Sequence, residues 1–257
     1  MKRIDIFGAP GSGKTTLLNA LVEKKKERVW LTSTEAKHKI LYDNFSKQEK
    51  NILDYIKDII YRLKIGKFMP SYDNKKLKNF FSNKISKYNE FIDIAIKIIG
   101  NDKNSPTFVK AKRINWLYST LQDITLLENY HNDKIILFDE SLLNRSLYLI
   151  SNYHTKDQNL LKKLSIPYAF IYMKLDLNNI YKRLKSRKKI TLDHSRMSDE
   201  ELIKKIEKDI YYSEFTFLKL QNYGVEGLVV DCLLPIDENL RKIDNYLSDK
   251  IKNLNND

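Results

Sequence analysis

The stretch GAPGSGKT, residues 8 to 15, sets Gly8, Gly11 and Gly13 around a small turn and closes it on Lys14 and Thr15. Glycines permit backbone conformations in which successive amide hydrogens point inward at an anion. The spacing G-x-x-x-x-G-K-T, where it follows a strand and opens a helix, suits a phosphate cradle, with Lys14 reaching the β and γ phosphates and Thr15 on Mg2+. The candidate nucleotide contacts are therefore Gly8, Gly11, Ser12, Gly13, Lys14, Thr15 and Thr16. Two later stretches add charge. ILFDESLLNRS (136–146) supplies Asp139 and Glu140 after a short apolar run, and then Arg145. NNIYKRLKSRKKITLDHSR (178–196) holds seven basic side chains between residues 182 and 196 against one acid, Asp193. Arg183 and Arg187 lie four apart, so a helix would present both on one face. Such a pair can clamp phosphates and neutralise charge while a phosphoryl group moves.

These residues need a scaffold that delivers them to one place. RIDIFGA at the start reads as a buried strand, and TTLLNALVEKKKE (15–27) as a helix with Leu17, Leu18, Leu21 and Val22 on its inner side. RVWL (28–31), KIILFD (134–139), PYAFIYMK (167–174) and GLVVD (227–231) read as four further strands. Each is a compact apolar run of the kind found in sheets covered on both faces. Strands alternating with helical patterns predict right-handed crossovers and a parallel, three-layer α/β sheet. Asp139 then ends a strand beside the phosphate loop, where a metal-associated acid belongs. Residues 41–130 are too long for one crossover and are mostly helical in pattern. Ile52 to Leu63, Leu77 to Ile99 and Phe108 to about Tyr130 form three periodic stretches, a helical insertion between strands two and three. The whole chain, 1–257, reads as a single domain, with a lid over about 182–198.

Composition narrows the classes. One cysteine, Cys232, excludes an internal disulfide framework, and four scattered histidines show no metal-ligand spacing. No apolar run is long enough to span a bilayer, and MKRIDIFGAPG does not read as a signal peptide, so a soluble, cytoplasmic protein is expected. The net charge of +13 raises nucleic acid as a partner. Lysines spread over amphipathic helices and a cleft for phosphorylated small ligands explain the same charge, and nucleic acid is not favoured.

Taken together, the phosphate loop, the Asp-bearing third strand, the R-L-x-x-R stretch after the fourth strand and PIDENLRKI after the fifth resemble the P-loop kinases of the nucleoside and nucleotide kinase group. The resemblance implies a five-stranded parallel sheet, MgATP as donor, an arginine-bearing lid over Arg183 and Arg187, and donor-base contacts near the loop after Asp231. The deoxynucleoside kinases are closest in pattern. By that resemblance Glu35, in VWLTSTE, takes the place of a catalytic glutamate at the end of the second strand. Trp116 and Gln122, in NWLYSTLQ, take those of a tryptophan and an acceptor-contacting glutamine. Asp139-Glu140-Ser141 stands where that family has E-R-S, so Glu140 reverses a charge beside the acceptor, and Arg145 or Arg113 would compensate. The family's proline beside the second-strand glutamate is missing. The activity so implied is transfer of the γ-phosphoryl group of ATP to a small-molecule acceptor, a nucleoside or nucleotide first and a sugar or other metabolite second. Glu35 or Glu140 would serve as base, and the acceptor side would comprise Glu35, Arg113, Gln122, Glu140 and Arg145. A polynucleotide 5′-end kinase, a basic ATPase and a non-catalytic nucleotide switch are the competing classes. Oligomeric state is not legible.

Overall fold

The computed structural model describes residues 2–24, 28–46, 73–103, 105–129, 134–139, 141–143, 166–187 and 197–255. Strand β1 (Arg3–Phe7) is buried at every position. It pairs in parallel with β3 (Ile135–Phe138) on one side and β4 (Ala169–Lys174) on the other. Strand β2 (Trp30–Thr32) adds outside β3, and β5 (Glu226–Asp231) outside β4. The sheet order is β2-β3-β1-β4-β5, and the five strands are parallel, as the apolar runs predict.

Alternation along β1 divides the core. Ile4 and Ile6 face a layer containing Leu17, Leu18 and Leu21 of α1 (Lys14–Lys24) together with Leu240, Ile243 and Leu247 of the C-terminal helix, α8 (Ile236–Asn255). Phe7 faces the opposite layer with Phe138, Phe170 and Tyr172. That second layer is closed by α2 (Ser33–Phe45), α4 (Asn89–Asn101) and α5 (Thr107–Glu128). Helices α6 (Leu177–Lys185) and α7 (Asp199–Asn222) follow β4, and Ile180, Leu184, Leu202 and Ile206 of this pair join the first layer. Among the described residues no helix is long and apolar enough to cross a membrane.

Three local expectations change. The second strand starts at Trp30 and not at Arg28: Val29 is exposed, and the Arg28 guanidinium turns back over the Trp30 ring, 4.7 Å from its centroid. The stretch Leu77 to Ile99 is two helices, α3 (Asn74–Lys84) and α4, joined by a 3-10 turn at Ile85–Tyr88. The break turns Tyr88 inward, where its hydroxyl donates to Glu128 at 2.8 Å. Finally, Thr32 ends β2 and caps α2, so Glu35 sits in the first turn of that helix and not at the end of the strand. The first insertion stretch, Ile52 to Leu63, lies outside the described residues.

Two buried charged side chains depart from the apolar pattern of the central strand. Asp5 is fully buried, and Arg3, on the same face of β1, brings Nε within 2.7 Å of Asp5 Oδ1. Burial pushes the Asp5 carboxyl up to about 6, against the opposing influence of the Arg3 charge and the Ser141 hydroxyl. The folded chain therefore holds this proton more tightly than the unfolded one. Asp5 contributes stability that is fully present below the ordinary value of 3.8 and is lost as pH rises through about 6. Denaturant unfolding of wild type and Asp5→Asn between pH 4 and 7.5 should show wild-type stability falling relative to the variant by up to about 1.4 kcal/mol per pH unit in that window. A constant difference across the range would remove Asp5 as the titrating group.

Candidate functional site

The C-terminal ends of β1, β3 and β4 emerge together at one edge of the sheet, and the phosphate loop begins there. Gly8 follows Phe7 directly with φ +153°, and a Cβ at that position would stand 2.5 Å from the Met173 carbonyl oxygen of β4. Only a residue without a side chain lets the two backbones approach this closely. Gly13, at φ +103°, brings the loop into α1, and a Cβ there would meet Arg183 Nη1 at 3.3 Å. Within the loop the Ser12 amide donates to the Ala9 carbonyl at 3.1 Å. Lys14 arches back over it, Nζ donating to the carbonyls of Gly8 at 2.7 Å and Ala9 at 3.1 Å. The first turn of α1 contains no acidic residue, and Thr15 and Thr16 lie on it. The positive end of the helix and the Lys14 ammonium thus lie together with no internal carboxylate in that turn to neutralise them, an arrangement suited to an anion.

Arg183 closes one side. Helix α6 begins at Asp176, whose side chain accepts from the Asn179 amide, and the helix packs on the loop through Ile180 and Leu184, both within 3.3 Å of where a Gly11 Cβ would stand. This docking carries the Arg183 guanidinium to the loop. Nη1 donates to the Ser12 carbonyl at 3.1 Å and Nη2 to the Cys232 carbonyl at 2.9 Å. One side chain therefore ties the phosphate loop to the turn after β5. Arg187 behaves differently from expectation: α6 ends at Lys185 with Ser186 as its cap, so Arg187 lies beyond the helix and is not on one helical face with Arg183. Of the expected lid, residues 188–196 lie outside the described set. The two sides of that stretch are joined where Lys185 pairs with Asp199 at the start of α7.

The carboxylates divide. Asp139 follows Phe138 at the end of β3, half-buried, beside the strand that runs into the loop. Glu35 is engaged by neighbours. Arg28 donates to both of its oxygens, at 2.5 and 3.1 Å, and the Thr32 amide and hydroxyl donate at 2.9 and 3.0 Å. The Glu35 amide donates in return to the Thr32 hydroxyl, completing a capping box. Burial pushes the Glu35 carboxyl up, but the hydrogen bonds from Arg28 and Thr32 and the Arg28 charge outweigh it and hold it below the ordinary glutamate value. Arg113 is committed elsewhere, donating to Asp102 at 2.9 Å and Ser105 at 3.0 Å across the α4–α5 connection. Gln122 is half-buried on α5. Its neighbour Asp123 pairs with Lys37 of α2 at 2.5 Å. Trp116, six residues before Gln122, is 41% exposed, with the Lys112 ammonium over its ring. Glu140 and Arg145 lie outside the described residues.

Sequence reading missed Arg28 and Thr32 as partners of Glu35, and the buried Arg3–Asp5 pair. The first had a signal in T-S-T-E, a capping-box spacing. The second had one in an aspartate interrupting a buried strand. Metal fits this edge in a limited way. Mg2+ is held by one or two protein oxygens and completes its shell with phosphate and water. A threonine hydroxyl on α1 and one carboxylate at the end of β3 meet that requirement, although among the described residues no group of three metal-ligating side chains occurs.

No family model matches the chain, and no curated protein matches it in sequence. Its fold is that of the P-loop kinases. A deoxyadenosine kinase from M. mycoides, with products dCMP and a flexible dCDP bound, superposes over 96% of this chain and 99% of its own, with a TM-score of 0.51 and 17% identity. The same enzyme with bound dATP gives 0.49 at 19% identity, over 96% and 99%. A shikimate kinase from Bacteroides thetaiotaomicron gives 0.42 at 11%, over 96% and 98%.

Gly8→Ala probes the cradle directly, since its Cβ must part the loop from β4. The variant should melt below wild type and lose the thermal stabilisation that saturating ATP gives the parent. Wild-type stabilisation by ATP in this variant would place nucleotide binding away from the loop.

Proposed function

We propose that the protein is an ATP-dependent kinase that transfers the γ-phosphoryl group to a small-molecule acceptor, with deoxynucleosides and nucleotides the first acceptors to test. The observation that carries this reading is the Arg183 guanidinium, bonded to the Ser12 and Cys232 carbonyls at the mouth of the phosphate loop. A fixed cation there, beside the loop that Lys14 closes, can meet charge that spreads over phosphate oxygens during transfer, which is where catalysis of this reaction resides. The similarity to a deoxyadenosine kinase sets the order of acceptors.

In this mechanism the inward-facing loop amides and the N-terminus of α1 bind the donor phosphates. Lys14 exchanges its contacts with Gly8 and Ala9 for phosphate oxygens. Thr15 and Asp139 are the residues that would hold Mg2+, which when bound screens the phosphate charge. Arg183 keeps the loop and the turn after β5 in one arrangement, so that the donor is oriented before transfer. On the acceptor side Gln122 offers both a donor and an acceptor edge to a base or hydroxyl. The engagement of Arg113 by Asp102 and Ser105 weighs against its use there.

The surroundings of Glu35 weigh against a base role. Its oxygens already accept from Arg28 and Thr32, and those bonds lower its proton affinity. We assign it to capping α2 and ordering the segment between β2 and the acceptor side.

An acceptor panel incubated with MgATP and read by mass spectrometry should show one added phosphoryl group on a nucleoside or nucleotide; ATP hydrolysis with no phosphorylated acceptor would favour an ATPase. Lys14→Ala and Arg183→Ala should lower kcat/KM by at least about 10²-fold while remaining folded, with Arg183→Ala acting mainly on kcat; near-wild-type turnover in both would defeat the assignment. Glu35→Gln should destabilise the fold by about 1 kcal/mol and lower transfer less than tenfold. A fall of ~10²–10⁴-fold with an unchanged melting temperature would instead make Glu35 the general base.

A further inference from the structure

The turn after β5 is held from two sides, by Arg183 and by the first turn of α8, and the catalytic part that Arg183 plays here rests on the proposed function. Strand β5 ends at Asp231, and the Cys232 amide extends the ladder by donating to the Lys174 carbonyl of β4 at 2.9 Å. The chain then turns into α8. The Leu233 amide donates to Asp231 Oδ1 at 2.9 Å, and the Leu234 amide to the Asp231 carbonyl at 3.2 Å. Asn239 reaches into this turn from α8, its Nδ2 donating to the Asp231 carbonyl at 2.8 Å and to the Leu234 carbonyl at 3.4 Å. One amide group thus holds both ends of the turn. Between those ends stands the Cys232 carbonyl, which accepts from Arg183 Nη2, while Nη1 of the same guanidinium donates to the Ser12 carbonyl of the phosphate loop.

Satisfying backbone groups does not account for Asn239. The Asp231 carbonyl already accepts from the Leu234 amide. The Asn239 side chain is 4% exposed, and its Oδ1 has no hydrogen-bond partner among the described residues, so that oxygen is desolvated without compensation. What the residue supplies is position. Leu240, next in sequence, and Ile243 are buried in the same layer as Leu17, Leu18 and Leu21 of α1, the helix that the phosphate loop opens. Asn239 therefore extends from a helix fixed to the core. Arg183 is an exposed residue whose guanidinium is ordered by its two carbonyl partners. Loss of one partner returns rotamer freedom to a long side chain.

We propose that Asn239 is a positioning residue for Arg183: it fixes the turn after β5 so that the Cys232 carbonyl stands where the guanidinium can bridge it to Ser12. Being buried, Asn239 touches neither nucleotide nor acceptor. It acts through the carbonyl that orders the cation, as a supporting partner does for a group that meets substrate. With that carbonyl displaced, Arg183 keeps its Ser12 contact alone, and the phosphate loop loses its tie to the end of β5.

The test uses the full chain with Asn239→Leu, which keeps the size of the side chain and removes its donor, alone and combined with Arg183→Ala. Amide hydrogen exchange is followed without ligand at Leu234, in the turn, and at Ser12, in the phosphate loop. Transfer from MgATP is measured on an acceptor identified by the panel above. Asn239→Leu should speed exchange at both amides about tenfold, lower kcat about tenfold and leave KM for ATP within about twofold. In the Arg183→Ala background the same change should speed exchange at Leu234 only and cost no further kcat. Wild-type exchange at Ser12 or wild-type kcat in Asn239→Leu would make the residue a brace for the turn alone and overturn the proposal, as would kcat losses that multiply in the double variant. If Asn239→Leu does not fold, Asn239→Ala takes its place; failure of both to fold would make Asn239 a determinant of stability and also overturn the proposal. If wild type phosphorylates no acceptor, the proposed function fails, and exchange at Ser12 in the two backgrounds decides the positioning role alone.

Discussion

The parallel ladder around β1 is the constraint from which the site follows. Because β3 and β4 run alongside β1 in the same direction, their C-terminal ends must leave the sheet at one edge, and whatever comes after them in sequence meets there. The approach of β4 is close enough that the residue after Phe7 must be a glycine, since the Met173 carbonyl occupies the space a side chain would need. The phosphate loop is thus a consequence of sheet geometry as well as of ligand chemistry. Its first glycine accommodates the neighbouring strand, and the later ones, Gly11 and Gly13, hold positive φ through the turn.

Charge at this edge is built from few residues, and the overall basicity of the chain does not build it. Arg183 reaches the loop because Ile180 and Leu184 dock α6 on it, so an apolar contact positions a cation. Many lysines elsewhere are in ordinary surface pairs, such as Lys204 with Glu200 and Lys242 with Glu238 along helices. Exposed pairs of this type contribute little to stability and are screened by salt. The net charge of +13 therefore describes the surface more than the site.

Elements whose identity depends on local pattern were legible in the sequence. All five strands and their parallel arrangement follow from compact apolar runs separated by helical periodicity, and GAPGSGKT specifies its own turn. What depended on contacts beyond the local pattern was not. Arg28 pairs with Glu35 only because the chain folds back over Trp30, and no spacing rule announces that. Arg187 follows Arg183 at helical spacing, yet Ser186 ends the helix before it. Asp5 on its own is a blemish in a buried strand. Its pairing with Arg3, two residues earlier on the same face of the strand, shows only in the folded sheet. A carboxylate can be read from sequence as a type, but the number of donors around it decides whether it serves as a base, a cap or an anchor.

That distinction also applies to the helices that close the second core layer. Helices α2 and α5 are joined by the Lys37–Asp123 pair and by packing of Ile40 and Leu41 with Leu121 and Ile124 in one core layer. Glu35 fixes the start of α2, and Glu128 at the end of α5 takes the hydroxyl of Tyr88. Each helix is therefore anchored near one end, with Asp123 and Lys37 linking them. Gln122 lies beside that link, so its amide is carried on a braced pair of helices and not on a loop. A polar group held this way keeps a fixed orientation, which a group carried on a loop would not.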